Sequence, residues 1–264
     1  MRKTEQHIIL RTENLSIGYK HKKEITVIAR DINLKLPEGN LIAVIGVNGS
    51  GKTTLIKTLT NNLQKIEGKV FIKNIDLDEL DNLSTSKMIS LVLTNQLISK
   101  NLTAFELIAL GRQPYTNWLG TLTKEDLYKI NEALELVEIS ALRDRKCHEI
   151  SDGQFQKVLI ARALAQDTPL LILDEPTNHL DLYHKVSILK LLKKLCVETH
   201  KTILFASHEL NLALQLCDQL IIIKDKKLIS GSPEELINGN ELTSLFNDDL
   251  VYFNESSKSF QIKQ

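Results

Sequence analysis

Gly46-Val47-Asn48-Gly49-Ser50-Gly51-Lys52-Thr53-Thr54, GVNGSGKTT, follows the apolar run Leu41-Ile42-Ala43-Val44-Ile45 and precedes the helically spaced Leu55, Ile56 and Leu59. It reads as a phosphate-binding loop between a buried strand and a helix. Gly46, Gly49 and Gly51 let the backbone turn tightly, so that several N–H groups point at one anion where side chains would obstruct it. Lys52 adds a full positive charge and Thr53 a hydroxyl for a magnesium ion, while the helix beginning here aims its positive dipole end at the phosphates. The bland reading is a glycine-rich strand-to-helix turn. At average residue frequencies, G-x-x-x-x-G-K-[ST] arises by chance in a chain this long with a probability on the order of one in a hundred. The strand before and the helix after lower those odds.

Composition sets the frame around this loop. With 264 residues and 42% hydrophobic content, the chain can bury a large core in one domain with a smaller lobe attached. Lysine plus arginine total 33 and aspartate plus glutamate total 33, so no net field favours nucleic acid or an anionic membrane surface. Cys147, Cys196 and Cys217 are widely spaced and contain no C-x-x-C pair, which indicates neither a disulfide framework nor a zinc site and fits a reducing cytoplasm. MRKTEQHIILRTENLS lacks the apolar core of about 7 to 15 residues that a signal peptide needs, and no apolar run approaches the ~18 residues of a membrane span. A membrane role therefore requires another subunit.

Along the chain, His7 to Ile17 and Ile32 to Leu36 read as early strands of an antiparallel preface, and Pro37-Glu38-Gly39-Asn40 as a turn into the buried strand. Gly68 to Ile72 and Ile89 to Leu93 are further strand candidates, the second ending at Thr94-Asn95-Gln96. From about residue 97 to 166 the period becomes helical. Thr103 with Glu106, and Thr123 with Asp126, fit capping boxes, and Ile130, Leu134, Val137 and Ala141 make one apolar face. Strand character returns at Leu170 to Leu173, Thr202 to Ala206 and Leu220 to Ile223, with helices at Val186 to Leu195 and Leu210 to Leu216 between them. Strands alternating with helices imply a largely parallel α/β sheet. The tail after Leu250 is polar, with Ser256-Ser257-Lys258-Ser259, and reads as loosely held.

A second element of the site is LLILDEPTNHLD, Leu170 to Asp181. A buried strand cannot hold two adjacent carboxylates in its core, so Asp174 and Glu175 belong at its exposed carboxyl end, where open α/β sheets place ligands. Asp174 suits magnesium, directly or through water, and Glu175 suits deprotonation of a water that attacks a γ-phosphate. Taken alone, the pair is a strand ending in solvated acids. Beside a phosphate loop, the chemical reading is the better one.

With Ile150-Ser151-Asp152-Gly153-Gln154 followed by FQKVLIARALAQ, the chain resembles the nucleotide-binding subunit of an ATP-binding cassette (ABC) transporter over nearly its whole length, about Leu15 to Pro233. The resemblance implies a P-loop ATPase core with an antiparallel β subdomain and an inserted helical subdomain. The core is expected over about residues 1–96 and 167–250, the helical part over 97–166 and a polar tail over 251–264. Gly46 to Thr54 matches Walker A, Leu170 to Glu175 Walker B and Gln96 the Q-loop that senses magnesium. Tyr19 matches the aromatic A-loop that stacks on adenine, Asn178 to Asp181 the D-loop and His208 the switch histidine that contacts the γ-phosphate. Each has a plain alternative: Tyr19 as a core cap, Gln96 as a polar turn residue, His208 as a helix cap. His179, Asp181 and His184 admit a metal-cluster reading, but the D-loop already accounts for the first two.

By the same resemblance, Ser151, Gly153 and Gln154 of the signature present donors to the γ-phosphate held by a second copy of the chain. ATP with Mg2+ then closes a head-to-tail homodimer, and hydrolysis with Lys52, Glu175 and His208 as catalytic residues reopens it. The family usually has glycine where this chain has Asp152. That carboxylate either repels the anion or points outward and caps the helix, and the outward cap is the favoured reading because the other motifs are intact. Ala109-Leu110-Gly111-Arg112-Gln113-Pro114-Tyr115 is similar to text in importers of iron-siderophore complexes, haem and cobalamin, where this region receives a coupling helix of the permease. A helix end and proline turn with Tyr115 and Trp118 in local packing is the plain alternative. The implied partners are a transmembrane permease dimer, with two copies of this chain as peripheral subunits on its cytoplasmic face at the inner membrane, and, indirectly, a substrate-binding protein, with no nucleic acid. Competing functions are a cytosolic ABC ATPase of cluster assembly or DNA repair, and an ATP-gated dimerisation module with weak hydrolysis.

Overall fold

An apolar run without polar alternation must be covered on both faces, and Leu41–Ile45, Leu170–Leu173 and Thr202–Ala206 are wholly buried strands of one sheet. The computed structural model describes residues 7–21, 24–93, 99–243, 245 and 250–263. The chain runs through β1 (Ile8–His21), β2 (Glu24–Ile32), β3 (Lys35–Pro37), β4 (Leu41–Ile45), α1 (Lys52–Leu59), β5 (Glu67–Ile72), β6 (Ile75–Asp76), α2 (Asn82–Met88) and β7 (Ile89–Val92). Next come α3 (Ala104–Ala109), α4 (Lys124–Leu136), α5 (Asp152–Ala165), β8 (Leu170–Leu173), α6 (Leu182–Thr199) and β9 (Thr202–Ala206). The order ends with α7 (Leu210–Leu216), β10 (Gln219–Lys224), β11 (Lys227–Gly231), α8 (Pro233–Asn238), β12 (Val251–Asn254) and β13 (Ser259–Ile262).

The main sheet has the order β11-β10-β4-β9-β8-β7, parallel except for β11, which pairs antiparallel with β10. Successive residues of β4 face opposite sides, as strand geometry demands. Leu41, Ala43 and Ile45 join a core shared with α3 to α7, while Ile42 and Val44 join a second core shared with α1 and the first strands. At ~1.5–3 kcal/mol for each large aliphatic side chain removed from water, both faces of the sheet contribute strongly to stability. The antiparallel preface is a separate sheet of order β2-β1-β5-β6 with β3 also on β1. It extends further than the sequence suggests: β1 continues to His21, β2 occupies Glu24–Ile32, and β6 is an added short strand.

Three expectations need correction. The polar tail is not loose: β12 and β13 pair as an antiparallel hairpin, Phe253 is 5% exposed, and its ring meets Phe260 edge-on at 5.2 Å. Asn211 of α7 holds this hairpin, donating from Nδ2 to the Phe260 carbonyl at 3.2 Å and accepting from the Phe260 N–H at 2.8 Å. Ala141 lies outside α4, exposed in a short 3-10 turn (Ser140–Leu142), and Ala133 takes its place on the buried face. The helix expected at Val186 to Leu195 is longer, Leu182–Thr199, because Asp181 caps it a turn earlier.

Between β7 and β8, the Thr103 and Thr123 capping boxes are both formed. The segment Leu110–Tyr115 continues α3 as 3-10 helix, and Arg112 turns inward rather than toward solvent. Its guanidinium, 3% exposed, donates to Asp126 Oδ1 at 2.8 Å and to the Ala165 carbonyl at 2.8 Å, and it stacks 4.0 Å from the Tyr115 ring centre. Burial raises the Asp126 carboxyl, but bonds from Thr123 and Arg112 outweigh it and hold the group below its ordinary range. One arginine thereby ties α3, α4 and α5 together. Trp118, 92% exposed, and Leu119, 66% exposed, stand outside this packing.

Candidate functional site

Parallel strands deliver the site. The segments that follow β4, β8 and β9 leave the sheet at the same carboxyl edge, and the strand order β4-β9-β8 puts them side by side. They are Gly46 to Thr54, Asp174-Glu175 and Ser207-His208. Gly51 has φ +109, and a Cβ there would lie 2.3 Å from Ile28 Cγ2, so the loop tolerates a side chain neither in conformation nor in space.

Lys52 opens α1, is 5% exposed, and donates from Nζ to the carbonyls of Gly46 at 2.9 Å and Val47 at 3.2 Å. The ammonium thus folds over the loop. Burial lowers its affinity for a proton, opposed by Glu175 and Asp174. Thr53 Oγ1 donates to Asp174 Oδ1 at 3.2 Å, and burial together with the neighbouring Glu175 pushes the Asp174 carboxyl up against that bond. A hydroxyl and a carboxylate converging in this way form a hard oxygen pair. Mg2+ prefers such a pair when water and phosphate oxygens complete its shell. Among the described residues no group of three or more His, Cys, Asp or Glu comes together as a protein-only metal cage, which includes His179, Asp181 and His184.

Glu175 sits at φ +49, a backbone conformation costly for a residue with a side chain, found where surrounding structure enforces it. Its Oε1 lies 2.5 Å from His208 Nε2, and Asn178 Nδ2 donates to its Oε2 at 3.4 Å. The carboxylate is held from both sides, with His208 half-exposed beside it. Tyr19 on β1 is 48% exposed and places its hydroxyl 3.0 Å from Thr54 Oγ1, so an aromatic face lies beside α1. Gln96 falls outside the described residues. Val47, Asn48, Gly49 and Ser50 form the turn of the loop itself, with Ser50 N donating to the Val47 carbonyl at 3.2 Å.

The signature segment is built differently. Ser151 caps α5: its Oγ accepts from Gln154 N at 3.3 Å, and the Gln154 side chain accepts from Ser151 N at 3.0 Å. These residues bond to one another at the helix start. Asp152 points outward as expected, with a side chain 76% exposed and an oxygen 3.9 Å from Lys100 Nζ. The cap, however, is Ser151; Asp152 is the first helical residue, where its charge complements the helix dipole. Asp181 caps α6 and is bonded to His184, which enters from the sequence only through the metal-cluster reading. No chemical pattern in the sequence singles out Lys185 and Glu209, an ion pair beside His208.

A family model described as "ABC transporter" matches residues 29–178. An uncharacterised ABC transporter ATP-binding protein of Methanocaldococcus jannaschii is 37% identical over 256 residues, which cover 97% of this chain and 87% of the relative. The iron(3+)-hydroxamate import ATP-binding protein FhuC of Bacillus subtilis is 35% identical over 241 residues, 91% of this chain and 88% of FhuC. Among solved structures, a dimeric bacterial ABC transporter cassette superposes with a TM-score of 0.72 at 30% identity, covering 85% of this chain and 98% of the cassette.

Proposed function

The chain belongs to the ABC transporter family, and we propose that it is the ATP-hydrolysing subunit of an importer that takes up an iron-siderophore complex, haem or cobalamin. It is an ATPase with a P-loop core, and ATP is its substrate. The observation that carries the catalytic assignment is the 2.5 Å contact between Glu175 and His208 beside Lys52 and the Thr53–Asp174 pair. Glu175 takes the proton of the attacking water, Lys52 and the loop N–H groups stabilise charge on the phosphates, and His208 orients the γ-phosphate. Tyr19 supplies the face for adenine. Thr53 and Asp174, with Gln96, would hold Mg2+, which would neutralise charge on the phosphates.

On this reading two copies close head to tail on two ATP molecules, each nucleotide meeting Ser151, Gly153, Gln154 and Asp181 of the other copy. A solved cassette described as dimeric supports the pairing of two copies. The whole chain then acts as one ATPase domain, with residues 97–166 as the helical lobe that faces the permease. The exposed Trp118 and Leu119, which follow the buried Arg112 in sequence, suit a contact with a coupling helix. Among the described residues no helix is long and apolar enough to cross a membrane, which fits a peripheral subunit on the cytoplasmic side of a permease dimer. The iron(3+)-hydroxamate relative favours iron chelates among the three cargo classes. Uptake of ferric siderophores, haem and cobalamin by cells lacking this protein tests the proposal: loss of one class identifies the cargo, and normal uptake of all three refutes it.

A further inference from the structure

The first turn of α6 touches three motifs at once. Asp181, at its start, accepts the His184 backbone N–H at 2.8 Å, and the His184 Nδ1 lies 2.8 and 2.9 Å from the two Asp181 carboxylate oxygens. An ionised carboxylate only accepts, so Nδ1 carries a proton and the ring is fixed in orientation. These bonds from His184 hold the Asp181 carboxyl below its ordinary range. Tyr183 packs edge-on at 5.5 Å and steadies the ring.

The other edge of the imidazole lies against the signature. A Cβ on Gly153 would come within 2.7 Å of His184 Cδ2 and 3.5 Å of Nε2. Gly153 lies inside α5, so what excludes a side chain there is the histidine ring. The next residue, Lys185, pairs with Glu209, the neighbour of His208. A single helical turn therefore contacts the D-loop, the signature and the switch segment.

We propose that His184 is a positioning residue that locks the signature turn Ser151 to Gln154 onto Asp181, so that both approach the second copy's nucleotide as one rigid unit. The proposal rests on the head-to-tail dimer proposed above. Among the described residues no hydrogen bond or ion pair joins His184 to Lys52, Tyr19 or Glu175, so on this proposal the chain's own loop binds ATP without it and what depends on His184 is closure.

The test uses the full chain and ATP, with closure read by light scattering in the non-hydrolysing Glu175→Gln background. His184→Ala keeps the affinity for a fluorescent ATP analogue within about twofold, while the ATP concentration needed for dimerisation rises about tenfold and kcat falls about tenfold. His184→Asn, which keeps a donor for Asp181, recovers part of the loss, and His184→Phe, which keeps the ring edge without the donor, recovers less. Gly153→Ala lowers hydrolysis more in the parent than in the His184→Ala background, because the clash is gone there. Parental closure by His184→Ala, or an equal Gly153→Ala loss in both backgrounds, overturns the proposal while leaving the dimer standing. Failure of Glu175→Gln itself to dimerise with ATP overturns the dimer and this inference together.

Discussion

The phosphate loop and the signature segment are both short, polar and placed at a helix start, yet the chain treats them in opposite ways. Around the loop, Lys52 bonds to the carbonyls of Gly46 and Val47, Thr53 to Asp174 and Glu175 to His208, at 2.5 to 3.2 Å, and Lys52 and Asp174 are buried. In the signature, Ser151 and Asp152 are exposed and the hydrogen bonds stay within one helical turn. A group whose partners already surround it can begin chemistry when substrate arrives. A group left open to solvent is free to meet a surface from outside the chain, as the proposed dimer requires.

The sharpest way to break this contrast is at Glu175. Glu175→Gln removes the base while keeping shape, so turnover falls by about 10²–10⁴-fold with ATP still bound, which steady-state hydrolysis beside a nucleotide titration checks. Removing the hub of the helical part is the next largest change. Arg112→Ala strands the buried Asp126 and lowers stability by about 3–5 kcal/mol, because the cost of an uncompensated buried charge exceeds the worth of the pair; urea unfolding measures it. Ser151→Ala costs about 1 kcal/mol of helix capping, leaves the nucleotide affinity of the isolated chain unchanged and weakens ATP-driven dimerisation. If it instead weakened nucleotide binding by the single chain, the loop and the signature would not be separate halves. The smallest effect is expected at Asp152. Its carboxylate is solvated and only loosely paired with Lys100, so Asp152→Asn changes hydrolysis by less than about twofold.

The same contrast governs what could be read from the letters alone. The loop, the Asp174-Glu175 strand end and the buried parallel strands were legible because each rests on a local pattern: glycine spacing, or an unbroken apolar run ended by acids. The hairpin of β12 and β13 was not. Phe253 and Phe260 meet across the polar stretch Ser256-Ser257-Lys258-Ser259, and their support comes from Asn211 some forty-nine residues earlier. Ala141 was misplaced because the helical period of α4 ends at Leu136 without a glycine or proline to mark it. The contact of His184 with Gly153 is not legible for a similar reason: the two are remote in sequence, and a glycine gives no sign of which neighbour requires it.

The position of β4 bears on how the protein is made. Its two partners are β9, through Leu41 opposite Ile203, and β10, through Ile42 opposite Gln219. During synthesis the ribosome therefore releases the phosphate loop long before either neighbour of its strand exists, while β1, β2 and β5 can pair from nearby sequence. Such long-range parallel pairing is slow and leaves apolar edges open until it completes. Nucleotide can act as a folding ligand only after residues beyond Thr202 have joined, so added ATP should slow unfolding of the completed fold and leave the refolding rate untouched.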